Sequence, residues 1–157
     1  MGPQYLSEDL KANRGHPKEQ ALLVSLRISQ AARRKSRTLG RVVTLVHRVF
    51  TELLLGAELR PETKIGPGLR VFHGQALVVN TATVIGAGVK LHHSVTLGLR
   101  QAGGGAPVLE DGVEVGAGAI ILGPVVIGAG ARIGAGAVVL DSIPAGRVAV
   151  GNPARLL

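Results

Sequence analysis

At 157 residues, with a formal charge of +8, 46% hydrophobic residues but only 2% aromatic, and no cysteine, the chain can form one principal domain with a core of Val, Ile, Leu and Ala. Disulfides and thiolate metal sites are excluded, and no charged stretch followed by an apolar run and a small-residue cleavage site marks a secretory leader. The cytoplasm is the expected location.

Residues 1–57 are read as a basic helical segment. Through Arg60 there are eleven Lys and Arg against five Asp and Glu, whereas the remainder has seven against five, and the excess lies mainly in Arg33, Arg34, Lys35, Arg37 and Arg41. Helices are predicted from Lys18 to about Lys35 and from Thr38 to about Leu55, the second stopping before Gly56. In that second helix Val42, Val46, Val49, Phe50, Leu53 and Leu54 fall on one broad face. Arg41, His47 and Arg48 interrupt it too often for a membrane span, which needs roughly 20 predominantly apolar residues. The segment is expected to cap the open end of the domain that follows and to pack against neighbouring subunits. Attachment of the basic cluster to an anionic membrane surface, at the inner face, is the second reading. Nucleic acid is not an expected partner, because no aromatic interleaving or recognised motif accompanies the charge.

Residues 58–157 carry a six-residue beat. Its first positions are Leu59, Ile65, Val71, Val79, Ile85, Leu91, Leu109, Val115, Ile121, Ile127, Ile133 and Val139. A unit that short supplies one strand and one turn, so three units close a triangular coil, and twelve predict four coils of a parallel β-solenoid paired coil to coil. Leu77 and Val78 are read as two extra residues before Val79, and Leu97 to Val108 as a stretch that carries the phase without following the pattern. Gly66/Gly68, Gly86/Gly88, Gly116/Gly118, Gly128/Gly130 and Gly134/Gly136 share one phase of the hexad, where corners need small residues or unusual backbone angles. Five phased copies argue for a repeat and against a dinucleotide-binding loop, which has one such turn.

Three of the five His lie on the repeat. His73 and His93 are each the third residue of a hexad, and their separation equals one coil plus the two extra residues, so they should stack near one corner with His92 beside them. Stacked imidazoles on a rigid solenoid make a candidate site. Zinc on the three is the weaker reading: the β-helical carbonic anhydrases are similar in repeat pattern but space their His differently, so no metal is expected.

The stretch GLRVFHGQALVVNTATVIGAGVKLHHSVTLG, then APVLEDGVEVGAGAIILGPVVIGAGARIGAGAVVLDSIP, and finally VGNPARLL resembles the serine acetyltransferase branch of the hexapeptide-repeat acyltransferases. That resemblance implies a left-handed parallel β-helix and homotrimers, with pairing into a hexamer left open. It also implies acetyl-CoA as donor, lying in a groove between adjacent subunits. His73 matches the family's catalytic base, and Glu58 the position of an acid that orients it. Imidazole suits the task, since its unperturbed pKa of about 6.5 lies near working pH. His93 or a corner amide would serve the oxyanion. Gly98, Ala117, Ala119, Ala135 and Ala137 would border the pantetheine, and Arg155, in an element resembling the family's Gly-x-Pro-Ala-Arg/Lys tail, would meet a cofactor phosphate.

Two departures bear on the acceptor. Where the serine enzyme has an Arg-His pair before Pro in an extruded loop, the loop 99–107 has Gly105 and Ala106, and Phe72 replaces the acid before the catalytic His. A neutral hydroxyl compound then fits better than free serine. A subgroup of exopolysaccharide (colanic acid type) acetyltransferases resembles the chain more fully, through SEDLKANRG, the Thr51-Glu52 pair followed by Gly56, and His at both coil corners. It implies O-acetylation of a sugar hydroxyl, such as one on a lipid-linked intermediate. The alternatives are serine O-acetylation, with a cysteine-synthesis partner, and a non-catalytic β-helical scaffold. The run Gly103-Gly104-Gly105 is expected to be mobile and to close over acceptor.

Overall fold

A computed structural model describes residues 4–157, leaving the first three residues of the N-terminal segment outside the described ones. Helix α1 spans Gln4–Ala12, α2 Pro17–Lys35 and α3 Arg37–Arg48, and α3 runs on as a π-helical stretch, Val49–Leu55. Gly56 ends it at φ 65, the left-handed turn that glycine makes cheaply. The two predicted helices are there; α1 was not expected.

The rest is a parallel β-solenoid with three sheets. The first holds β1 (Ala57–Leu59), β4 (Leu77–Val79), β7 (Thr96–Gly98), β10 (Ile120–Leu122) and β13 (Val138–Val139). The second holds β2 (Lys64–Ile65), β5 (Val84–Ile85), β8 (Val108–Leu109) and β11 (Val126–Ile127). The third holds β3 (Arg70–Phe72), β6 (Lys90–His92), β9 (Glu114–Val115), β12 (Arg132–Ile133), β14 (Val148–Val150) and β15 (Arg155–Leu156). All twelve hexad residues point inward and are at most 2% exposed. Two places before them a second residue is buried as well, as at Leu69, Leu77, Val89, Val113 and Ala119.

Two expectations are corrected. Leu97, fully buried in β7, is a further member of the inward set, so the first sheet has five strands and the solenoid about five turns rather than four. The six-residue expansion between Leu97 and Leu109 is the extruded loop alone. Nor are Leu77 and Val78 the extra residues: Val78 pairs with Thr96 and Val79 with Leu97, which makes Leu77 and Val78 ordinary strand. The surplus lies in the turn His73–Ala76, between Phe72 and Leu77, where the next coil has only His93 and Ser94 between β6 and Val95.

Glycine is required where coils approach. A Cβ on Gly86 would sit 2.7 Å from the backbone of Glu110 and Asp111, nearer than real Cβ contacts come. The coils could then not keep their spacing.

At the N-terminal end the helices supply what a preceding coil would. Asp9 Oδ1 accepts the Leu69 amide at 3.1 Å, while Asn13 accepts the Val71 amide at 3.0 Å and donates to the Leu69 carbonyl at 2.8 Å. Arg27 donates to the carbonyls of Ile65 and Gly66 at 3.1 and 2.7 Å and pairs with Asp9 at 2.7 Å. Gln30 donates to the Thr63 carbonyl at 3.2 Å, and His47 Nε2–H to that of Leu59 at 2.8 Å. The other His47 nitrogen lies 2.9 Å from the Ser25 hydroxyl. Asp9 and Asn13 are fully buried. The expected end cap is therefore a polar plug on the first coil.

Two predictions follow from the plug. Arg27→Ala strands a buried carboxylate and should cost about 3–5 kcal/mol in urea unfolding, more than a double Asp9→Leu, Arg27→Met exchange. His47 is pushed below its ordinary pKa, chiefly by burial and against the opposing hydrogen bond to Leu59. The unfolded chain therefore takes up a proton first as pH falls, and stability present above pH about 6.5 should decline below it. Unfolding at a series of pH values should show this decline in the wild type and a shallower one in His47→Gln.

Candidate active site at the histidine corner

The third sheet delivers its side chains to one corner. Two residues past each inward aliphatic stand His73, His93, Ala117 and Ala135, and Gly151 follows Ala149 in the same way. Backbone bonds tie the column together: Ser94 N–H donates to the Gln75 carbonyl at 2.8 Å, Gly118 to His93 at 3.0 Å, and Gly136 to Ala117 at 2.8 Å. As spacing predicted, the rings of His73 and His93 meet, edge to face, with centroids 6.3 Å apart.

His73 has φ 53, the left-handed region that disfavours a residue with a Cβ, although Gly74 is the next residue. On the next three coils that angle falls one position later, at Ser94, Gly118 and Gly136, and on the last it falls at Gly151. The lengthened turn keeps that angle at Ala76, just before Leu77 as Ser94 is just before Val95, and adds a second at the histidine, where Gln75 N–H closes back on the His73 carbonyl. A residue with a Cβ held in that region is strained, and such residues cluster at functional sites.

His92 lies beside the pair. Its ring stacks on Phe72 at 4.4 Å and 14°, and the Arg70 guanidinium carbon also lies 4.4 Å from the Phe72 centroid. Glu114, 3.2 Å from Lys90, comes within 3.9 Å of His92 Nε2. Partial burial pushes His92 below its ordinary pKa, helped by the charges of His93, His73 and Arg70 and opposed by Glu114. Phe72 thus occupies the place beside His73 as an apolar wall whose ring already has aromatic and cationic neighbours. Sequence spacing placed His92 here but had no means of showing the stack.

Glu58, on β1, turns to Arg60, whose guanidinium holds it at 2.7 and 3.0 Å. Arg60 also reaches Glu52 at 3.5 Å, and Glu52 reaches Arg48 at 3.3 Å. The structure therefore does not bring Glu58 into hydrogen bonding with His73. Beside it is a cleft of about 250 Å³ lined by Glu52, Gly56, Ala57, Glu58, Leu77 and Val78. Gly98 ends β7, where Gly123 N–H donates to its carbonyl at 3.0 Å. Ala117 and Ala135 are at the corner surface, whereas Ala119 and Ala137 point into the core with no exposure. Arg155 is exposed on β15, and the Ala154 amide before it donates to the Val138 carbonyl at 2.8 Å, which places the tail at the far end of the same column. Loop residue Gly105 lies against Pro124: a Cβ there would be 2.7 Å from that ring. Among the described residues no group of three His, Asp or Glu is arranged to hold a metal ion.

The family description "Bacterial transferase hexapeptide (six repeats)" matches residues 106–141. The provisionally named colanic acid biosynthesis acetyltransferase WcaB of Escherichia coli is 35% identical over 156 residues, covering 95% of this chain and 96% of that protein. The chain belongs to the hexapeptide-repeat acetyltransferase family. Serine acetyltransferase 1 of Arabidopsis thaliana is 40% identical over 119 residues, but those are 74% of this chain and only 38% of the plant protein. The chain spans well under two thirds of that relative. A serine acetyltransferase of Brucella abortus in complex with coenzyme A superposes with a TM-score of 0.85 at 27% identity, over 98% of this chain and 66% of the other.

The φ of His73 predicts an uncommon result. A glycine at the same φ removes a Cβ penalty of about 1–2 kcal/mol, against a glycine cost of about 0.5–1 kcal/mol. His73→Gly should therefore be as stable as the wild type or more so by up to about 1.5 kcal/mol, measured by denaturant unfolding, while losing whatever activity the ring supports.

Proposed function

We propose that the chain is an acetyl-CoA-dependent O-acetyltransferase whose acceptor is a sugar hydroxyl, with His73 as general base. The observation that carries this reading is the paired histidine corner, rings edge to face, with His73 held at φ 53. In the proposed reaction His73 takes the acceptor's hydroxyl proton as the oxygen attacks the thioester carbonyl. The tetrahedral intermediate expels the sulfur, and the imidazolium returns its proton to the leaving thiolate, giving the acetyl ester and CoA. His93 or a corner amide faces the oxyanion. Glu58 would orient His73 by leaving Arg60 and the chain of charges that Arg60 shares with Glu52 and Arg48. Acetyl-CoA would run down the corner column, past Gly98, Ala117 and Ala135 and the backbone of Ala119 and Ala137, with Arg155 toward its phosphates. From His73 to Gly151 that is four strand spacings, about 19 Å.

An exposed convex corner cannot exclude water by itself, so the reading includes a homotrimer whose neighbouring subunit supplies the facing wall. Two features support a neutral acceptor. Phe72, with Arg70 and His92 at its ring, offers no carboxylate to an ammonium group, and Gly105 and Ala106 offer no cation to a carboxylate. Similarity to WcaB over nearly both whole chains supports an exopolysaccharide precursor. The alternative of free serine is favoured by the plant and Brucella relatives and is decided in the same assay.

CoA release from acetyl-CoA should depend on a sugar or nucleotide sugar, and His73→Asn should lower kcat by about 10²–10⁴ while leaving CoA binding, read by calorimetry, within a few-fold. Release driven by L-serine would replace the acceptor; no release with any acceptor together with no CoA binding would make the chain a scaffold.

A further inference from the structure

Helix α3 and its π-helical continuation bury only one narrow side. Gly40, His47 and Thr51 face the body of the protein, and the approach to α2 is so close that a Cβ on Gly40 would lie 2.7 Å from the Arg33 Cα. The side pointing away carries Val42, Leu45, Val46, Val49 and Leu53, which are 57, 60, 63, 50 and 77% exposed. Helical spacing would normally turn such a stripe inward. Here it faces outward along most of the helix.

The same close crossing gathers charge at the N-terminal end of that stripe. Arg33, Arg34 and Lys35 end α2 and Arg37 and Arg41 begin α3, so together with Ser36 and Gly40 they line an open groove of about 360 Å³. Arg33 is paired, with Glu62 at 2.8 Å; no acidic partner meets Arg34, Lys35, Arg37 or Arg41 among the described residues. The opposite end of the stripe is balanced, because Arg48 and Arg60 engage Glu52 and Glu58 there.

We propose that this surface docks on an anionic lipid bilayer, α3 lying in the plane of the interface with its apolar stripe among the acyl chains and the basic groove on lipid phosphates. Charge selects this occupant over a second copy of the chain. A helix pairing with its own twin would cover the apolar stripe but bring no net negative charge to the groove, since the far end of the twin is neutral and the near end carries the same cations. An anionic membrane supplies both partners at once. No helix among the described residues is long and apolar enough to cross the bilayer, so the attachment is peripheral. The His73 corner is not part of this surface, and the inference stands whatever reaction that corner performs.

The test is flotation of the full chain with vesicles of phosphatidylcholine alone or mixed with phosphatidylserine, at low and high salt, alongside light scattering of the protein without lipid. Binding should require phosphatidylserine and weaken with salt. It should fall at least about tenfold in Arg34→Ala/Arg37→Ala/Arg41→Ala and be lost in Val46→Glu/Val49→Glu, with both variants retaining the wild-type unfolding transition. Equal binding to neutral vesicles, or none to either, overturns the proposal. So does a fall in oligomer size caused by Val46→Glu/Val49→Glu, which would make the stripe a contact between subunits.

Discussion

A solenoid coil exchanges backbone hydrogen bonds with the coil before it and the coil after it, so its first coil has an edge that nothing in the repeat can satisfy. The structure depends on how that edge is closed. Asp9, Asn13, Arg27, Gln30 and His47 are borrowed from three helices and the turn after the first, and are aimed at the amides and carbonyls from Leu59 to Val71. At the other end β15 folds back antiparallel on β14, pairing Val150 with Arg155. Between these closures aliphatic burial and coil-to-coil pairing suffice.

The plug also reaches the candidate site. Asp9 and Asn13 hold the Leu69 and Val71 amides, and β3 leads from there directly into Phe72 and His73. An end cap that serves stability thus fixes the strand from which the strained histidine departs. The turn His73–Ala76 holds the two extra residues, and both its first and last members have positive φ. Lengthening a corner on the first coil, braced from below by the plug and from above by Ser94 on the Gln75 carbonyl, changes the direction of one side chain without disturbing the stack.

What was legible in the sequence was whatever repeats. The inward aliphatics and the meeting of His73 with His93 follow from counting residues. Leu97 escaped because it is the last inward residue before an inserted loop and has no successor six places on. The extra residues were misplaced because counting shows that two exist but only strand register shows where they sit. Asp9, Asn13, Arg27 and Gln30 escaped for another reason: they are ordinary polar residues of helices and a turn, and nothing local distinguishes a buried plug from a solvated face. Glu58 was assigned through resemblance, which carries no information about the competing guanidinium two residues later.

The most direct measurement of the central claim is a crystal structure of the chain with CoA and a bound sugar acceptor. The account predicts the sulfur at the His73–His93 corner, the acceptor oxygen within about 3–3.5 Å of the His73 ring, and the phosphates toward Arg155 at the far end of the column. CoA seated on another face of the solenoid, with the histidine corner open to solvent in the assembled protein, would contradict it.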